Sequence, residues 1–170
     1  ASNAVISNNT ALDPGYDPES DHTIGGGGIF SEGTTTLNLS QVRDNLVPTS
    51  SAGIGTILAG HGGGVFQRGG SLVVQASTIA GNRNTYSGGW DHSNTLGHGG
   101  GLALEGTTAT ITSSTISDNA ASGQGAGLFS SASTATIRNS TLSGNTTSAV
   151  THGASDNVPT LAGPGITVEL

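Results

Sequence analysis

The sequence contains no cysteine, no methionine and no lysine. The first absence excludes disulfides and thiolate metal sites while leaving an extracellular location open. Without lysine, positive charge rests on Arg43, Arg68, Arg83 and Arg138 against eleven acids, a net −7. No basic stripe exists to neutralise phosphates, so a nucleic-acid partner is not expected. No apolar run approaches the roughly 20 residues that a membrane-spanning helix needs, so membrane insertion is not expected either. The chain does not begin with Met and shows no signal peptide, and reads as a mature product or an excised piece. Charged residues make up only 9% and aromatics 4%. Disorder usually combines low hydrophobicity with high net charge, and this profile does not suit it.

What the chain has instead is glycine, serine, threonine and asparagine in a repeating order. Four units align: GGGIFSEGTTTLNLSQVRDN at 26–45, GGGVFQRGGSLVVQASTIAGN at 62–82, GGGLALEGTTATITSSTISDN at 99–119 and GAGLFSSASTATIRNSTLSGN at 125–145. Each opens on a Gly-rich turn followed by Ile29, Val65, Leu102 or Leu128, and each closes on an aliphatic, two residues and an asparagine. The closing half recurs as NAVISNN at 3–9, and GPGITVEL at 163–170 reads as an opening half. Within a unit, residues alternate as strands do, for example Ala109 and Ile111 against Thr108 and Thr110. Gly and Asn between the runs supply the left-handed corners.

Three short strands per unit make one coil of a solenoid. The expected fold is therefore all-β: a single right-handed parallel β-helix of about five coils spanning 1–170, a segment or subunit of a longer repeat assembly. The expected inward stacks are Ile29/Val65/Leu102/Leu128/Ile166, Leu37/Val74/Ile111/Ile137 and Ile6/Val42/Ile79/Ile116/Leu142. The extra length of the longer repeats falls between the asparagine and the next Gly triad, so the long loops should leave from one corner.

Stacked coils lie about 4.8 Å apart, so residues at one offset form ladders. Asn9, Asn45, Asn82, Asn119 and Asn145 are expected to form a ladder of side-chain amides, each donating to one coil and accepting from the other. Ser40, Ser77, Ser114 and Ser140 form a second candidate ladder.

These paired signals resemble the repeats of polymorphic outer-membrane proteins. They are closer still to the GGGIY…STISGN repeats of large surface proteins of the right-handed parallel β-helix, pectin-lyase-like superfamily. Where the first pattern has Phe, this chain has Val42, Ile79, Ile116 or Leu142. The resemblance implies a secreted or surface-anchored protein with a structural or adhesive role.

Other candidate sites are sparse. Asp44 and Asp118 occupy equivalent corners about 10 Å apart, two coils on, with Gly81 between them, so no acid cluster of a polysaccharide-cleaving enzyme is expected. His61 and His98 each precede a Gly triad and are candidate metal ligands, with Asp91 and His92 the nearest further donors in sequence. Asp13, Asp17, Glu19 and Asp21 gather oxygen donors that suit Ca²⁺ but lack the spacing of a known calcium loop, and no other cofactor is implied. Thr34, Thr36, Thr108, Thr110, Thr134 and Thr136 form an outward T-x-T array interrupted by Ser71 and Val73, as on an ice-binding face. Phe30, Phe66 and Phe129 recur at one offset and are candidates for an exposed strip that binds carbohydrate or a neighbouring subunit. Asn8, Asn38, Asn139 and Asn145 sit in glycosylation sequons.

The expected function is a non-catalytic extracellular or cell-surface module, structural or adhesive. A carbohydrate-active enzyme is the competing class and an ice-binding solenoid a third. End to end, Ile166–Leu170 and Ala1–Asn9 supply fourteen residues against the eighteen of Leu102–Asn119. Head-to-tail association along the helix axis into a filament is therefore expected, the alternative being one stretch of a giant chain.

Overall fold

The computed structural model describes residues 1–11, 25–48, 60–85, 97–148 and 161–169. Each repeat unit becomes one coil, and every strand pairs in parallel with its counterparts in the coils before and after. The first sheet comprises Ile29–Ser31, Val65–Arg68, Leu102–Glu105, Leu128–Ser131 and Leu161–Ala162. The second comprises Thr34–Asn38, Ser71–Gln75, Thr108–Thr112, Thr134–Arg138 and Ile166–Glu169. The third comprises Val5–Ser7, Gln41–Arg43, Thr78–Ala80, Thr115–Ser117 and Thr141–Ser143. Besides these three strands per coil, a short fourth sheet pairs Leu46–Val47, Arg83–Asn84, Ala120–Ala121 and Thr146–Thr147 just after each ladder asparagine. The architecture is the expected parallel β-helix.

The alternation seen in the sequence becomes the division between inside and outside. Val65, Leu102 and Leu128 line one inner wall, Leu37, Val74, Ile111 and Ile137 the second, and Val42, Ile79 and Ile116 the third, all fully buried. Burying each such side chain stabilises the fold by about 1.5–3 kcal/mol. Because each aliphatic residue sits on another, the core consists of aliphatic columns.

One expected stack is corrected. Ile166 does not continue the Ile29/Val65/Leu102/Leu128 column: Leu161 pairs with Leu128, and Ile166 pairs with Ala135 in the second sheet. The GPG at 163–165 is thus a corner between the first and second sheets, not an opening triad. The chemistry of proline explains the shift. The middle glycine of a triad donates its N–H to the neighbouring coil, Gly27 to Gly62 O at 3.1 Å and Gly63 to Gly99 O at 2.9 Å. Pro164, in the middle of GPG, has no N–H to donate. With Ile166–Glu169 in the second sheet, the fourteen-residue tally of the two ends no longer corresponds to the missing part of one coil.

Candidate functional site

The asparagine corner is a saturated hydrogen-bond ladder. The backbone N–H and side-chain Nδ2 of Asn45 both donate to Asn82 Oδ1, at 3.1 and 2.9 Å. Asn82 repeats this to Asn119 Oδ1 at 3.0 and 3.0 Å, and Asn119 to Asn145 Oδ1 at 3.1 and 3.0 Å. Asn9 makes the same pair of bonds to Asn45 Oδ1 at 3.0 and 2.9 Å. The second Nδ2 proton goes the other way, to the carbonyl of the aliphatic residue one coil back: Asn45 to Ile6, Asn82 to Val42, Asn119 to Ile79 and Asn145 to Ile116. For buried Asn45, Asn82 and Asn119, every amide hydrogen and the oxygen therefore has a partner.

The ladder has direction. Every Oδ1 accepts from the preceding coil, and every Asn donor pair reaches toward the following one.

The serine ladder works differently, because a hydroxyl has one proton. Ser40, Ser77, Ser114 and Ser140 each donate Oγ–H to the carbonyl two residues back, at 2.7–2.8 Å. The oxygen then accepts the backbone N–H of the coil before it: Ser40 N–H to Ser77 Oγ, Ser77 to Ser114 and Ser114 to Ser140, at 3.0–3.1 Å. A third hydroxyl position, not read from the sequence, lies between the first and second sheets. Ser133 Oγ donates to Ser131 O and accepts from Thr107 N–H at 2.9 Å. Its counterpart one coil back, Thr107, donates its hydroxyl to Glu105 O at 3.0 Å in the same way, but the two earlier coils carry Gly33 and Gly70, so the hydroxyl does not recur through the repeats.

Asp44 and Asp118 alternate with Gly81 and Gly144 for a packing reason. All four adopt positive φ, 56°, 55°, 65° and 63° respectively. Each Asp side chain leans over the glycine of the next coil, where an added Cβ would strike its Oδ1. The two acids are thus separated by the space each needs, and Asp44 also pairs with Arg43 at 3.3 Å.

His61 and His98 adjoin in parallel register, their rings stacked 6.0 Å apart at 22°. Phe66 packs on His61 at 5.1 Å, and Phe129 on His98 at 4.5 Å and 15°. Phe66 continues to Phe30 at 5.4 Å. Ala103, standing where the other coils have Phe, leaves the gap that His98 and Phe129 close. His98 Nδ1 accepts the Gln124 backbone N–H at 3.0 Å, which makes it the unprotonated nitrogen and places the ring proton on Nε2. Burial pushes His61 down to about 4, with His98 adding to the shift, and burial also lowers His98. Among the described residues no group of three metal-ligating side chains forms. Asn84 supports this corner from the fourth sheet, donating to Gly60 O and His98 O at 3.0 Å each. Sequence reading missed it. The available signal was an asparagine set between two apolar residues of its column, Val47 and Ala121.

The phenylalanines do not form one exposed strip: Phe66 is only 1% exposed, whereas Phe30 is 50% exposed with Arg68 over its ring. The threonine array is in register. Thr34, Ser71, Thr108 and Thr134 make one outward column, and Thr36, Val73, Thr110, Thr136 and Thr167 the next. Of the sequon asparagines, Asn8 and Asn139 are exposed at positive φ, Asn38 is half-buried and Asn145 is buried within the ladder. The acidic segment with Asp13, Asp17, Glu19 and Asp21, and the pair Asp91 and His92, lie outside the described residues.

A family model described as right handed beta helix region matches residues 1–161. The chain belongs to that right-handed β-helix family. No curated protein and no solved structure matches the chain. Membership in the right-handed β-helix family accounts for the coils, the columns and the ladders. It does not choose among activities, because a fold of this kind is a scaffold on which sites are built.

Proposed function

We propose that this right-handed β-helix protein is a non-catalytic extracellular or cell-surface module, structural or adhesive, that works as a stiff segment of a longer stack. The observation that carries this reading is the unbroken asparagine ladder, in which each coil is bonded to the next by buried side chains as well as backbone. Such a ladder gives every added coil the same polarity, since an oxygen must always meet a donor pair. Further coils, from a second copy or from a longer chain, therefore continue the stack head to tail, a contact that propagates without closing. Small, uncharged outward residues leave flat faces suited to contact with carbohydrate or other cell-surface components.

Electron microscopy and intact mass of the native material test this together with polysaccharide turnover. Rods or filaments of constant width with no release of unsaturated or reducing sugar ends are expected. Turnover of any acidic or neutral polysaccharide would replace this reading with the carbohydrate-active one. A second reading rests on the in-register threonine columns, which repeat about 4.8 Å between coils and about 6.8 Å along the strand. Inhibition of ice recrystallisation that is lost in Thr110→Tyr would favour it.

A further inference from the structure

We propose that His61 and His98 form a proton-operated latch on the corner that leads into the Gly triads, released by mild acid while the asparagine corner stays closed. The geometry that points to it is the single acceptor role of His98 Nδ1. This atom receives the Gln124 N–H at 3.0 Å, so a proton placed there would face another N–H, and the bond would be lost. The same residue is tied into the backbone on either side: its N–H donates to Gly60 O at 3.1 Å, its C=O accepts from Gly62 N–H at 3.0 Å, and Gly99 N–H donates to Gln124 O at 3.0 Å. Turning the ring away therefore breaks the Gln124 bond at a point where the backbones of three coils are joined. A charged His98 would also stand beside His61, whose ring lies 6.0 Å away, and both would be pressed on Phe66 and Phe129.

The rings face each other, Phe66 and Phe129 from the first sheet, and the Gln124 amide; Asn84 Nδ2 donates to the Gly60 and His98 carbonyls. On the packed elements, the charged residues among those described are Arg68 and Glu105 at the far ends of first-sheet strands, Glu32 just past the end of another, and Arg83 beside Asn84. None of them offsets the burial that disfavours the imidazolium in either ring. Release would uncover Phe66, otherwise 1% exposed, next to Phe30. An acid-exposed aromatic patch of this kind is a contact surface that neutral pH conceals.

Amide hydrogen exchange of the whole protein between pH 7.5 and 4.5, corrected for intrinsic rates, tests the latch. The Gln124 and Gly62 amides should lose protection about tenfold per pH unit below 6.5 while the Asn82 and Asn119 amides hold. His98→Asn, whose amide oxygen can accept the same N–H without titrating, should keep the corner protected throughout. His98→Phe should leave Gln124 unprotected at every pH while retaining the ring stack. The proposal is overturned if wild-type Gln124 stays protected to pH 4.5. It is equally overturned if His98→Asn responds like wild type, or if the Asn82 and Asn119 amides exchange in step with Gln124. None of these outcomes depends on whether the protein forms filaments.

Discussion

Two corners of the same coil solve the same problem in opposite ways. At the asparagine corner each residue meets a copy of itself, and the bonds of one coil are the bonds of the next. At the histidine corner the equivalent positions run Gly25, His61, His98 and then the Gln124 amide, and each contact is particular to its coil. Repetition at the first corner gives a side chain whose every polar atom is paired, with nothing left to titrate. Variety at the second leaves room for insertions, ring stacking and a nitrogen whose partner depends on pH. A solenoid can thus hold its register along one edge while the other edge diversifies.

Breaking the asparagine corner should have the largest effect. Asn82→Ala removes an acceptor of two bonds and a donor of two more, all buried. A loss of about 3 kcal/mol in urea unfolding is expected, since the Asn45 donors and the Val42 carbonyl are stranded without water. An unchanged midpoint would reduce the asparagines to turn formers.

Acid should act on the other corner. The folded His61 sits near 4 against an ordinary 6.5, so the folded state binds fewer protons than the unfolded chain between those values. Stability from this group is full above pH 6.5 and declines as the pH falls toward 4, by up to about 1.4 kcal/mol per pH unit. His61→Phe should flatten that part of a melting-temperature profile against pH; an identical slope in the variant would assign the response elsewhere.

Smaller effects refine the comparison. Gly81→Ala places a Cβ at positive φ against the Asp44 carboxylate and should cost about 1.5 kcal/mol. Asp44→Ala in the same chain should recover part of it, which a double-mutant cycle reads as coupling. Ser77→Ala leaves the Ser40 N–H and Gln75 C=O without their hydroxyl and should cost about 1 kcal/mol. At the other extreme, Arg138→Gln breaks a solvent-exposed pair with Glu169 at 2.8 Å, and no shift in melting temperature is expected.

Much of this was legible in the residues because a solenoid converts sequence offset directly into spatial column. Five asparagines at one offset, each after an aliphatic and two residues, can only stack if coils repeat, and the same logic gave the columns of Val42, Ile79 and Ile116. It failed at GPG, where glycine spacing matched a triad but the missing N–H of Pro164 did not fit one. It failed also at Ser133 and Thr107, whose column neighbours are glycines, and at Asn84, whose bonds run to carbonyls far from it in the repeat.

The sequence by itself determined the coil, its inward aliphatics, its charge-poor surface and the identity of the ladder residues. These follow from alternation and from the need of each buried amide for a partner one coil away. Only the tertiary structure decided the direction of the ladder, the lean of Asp44 over Gly81, the burial of Phe66 and the burden placed on His98 Nδ1. Those depend on which atom of a side chain faces which coil, and a one-dimensional repeat specifies the neighbour without specifying the atom.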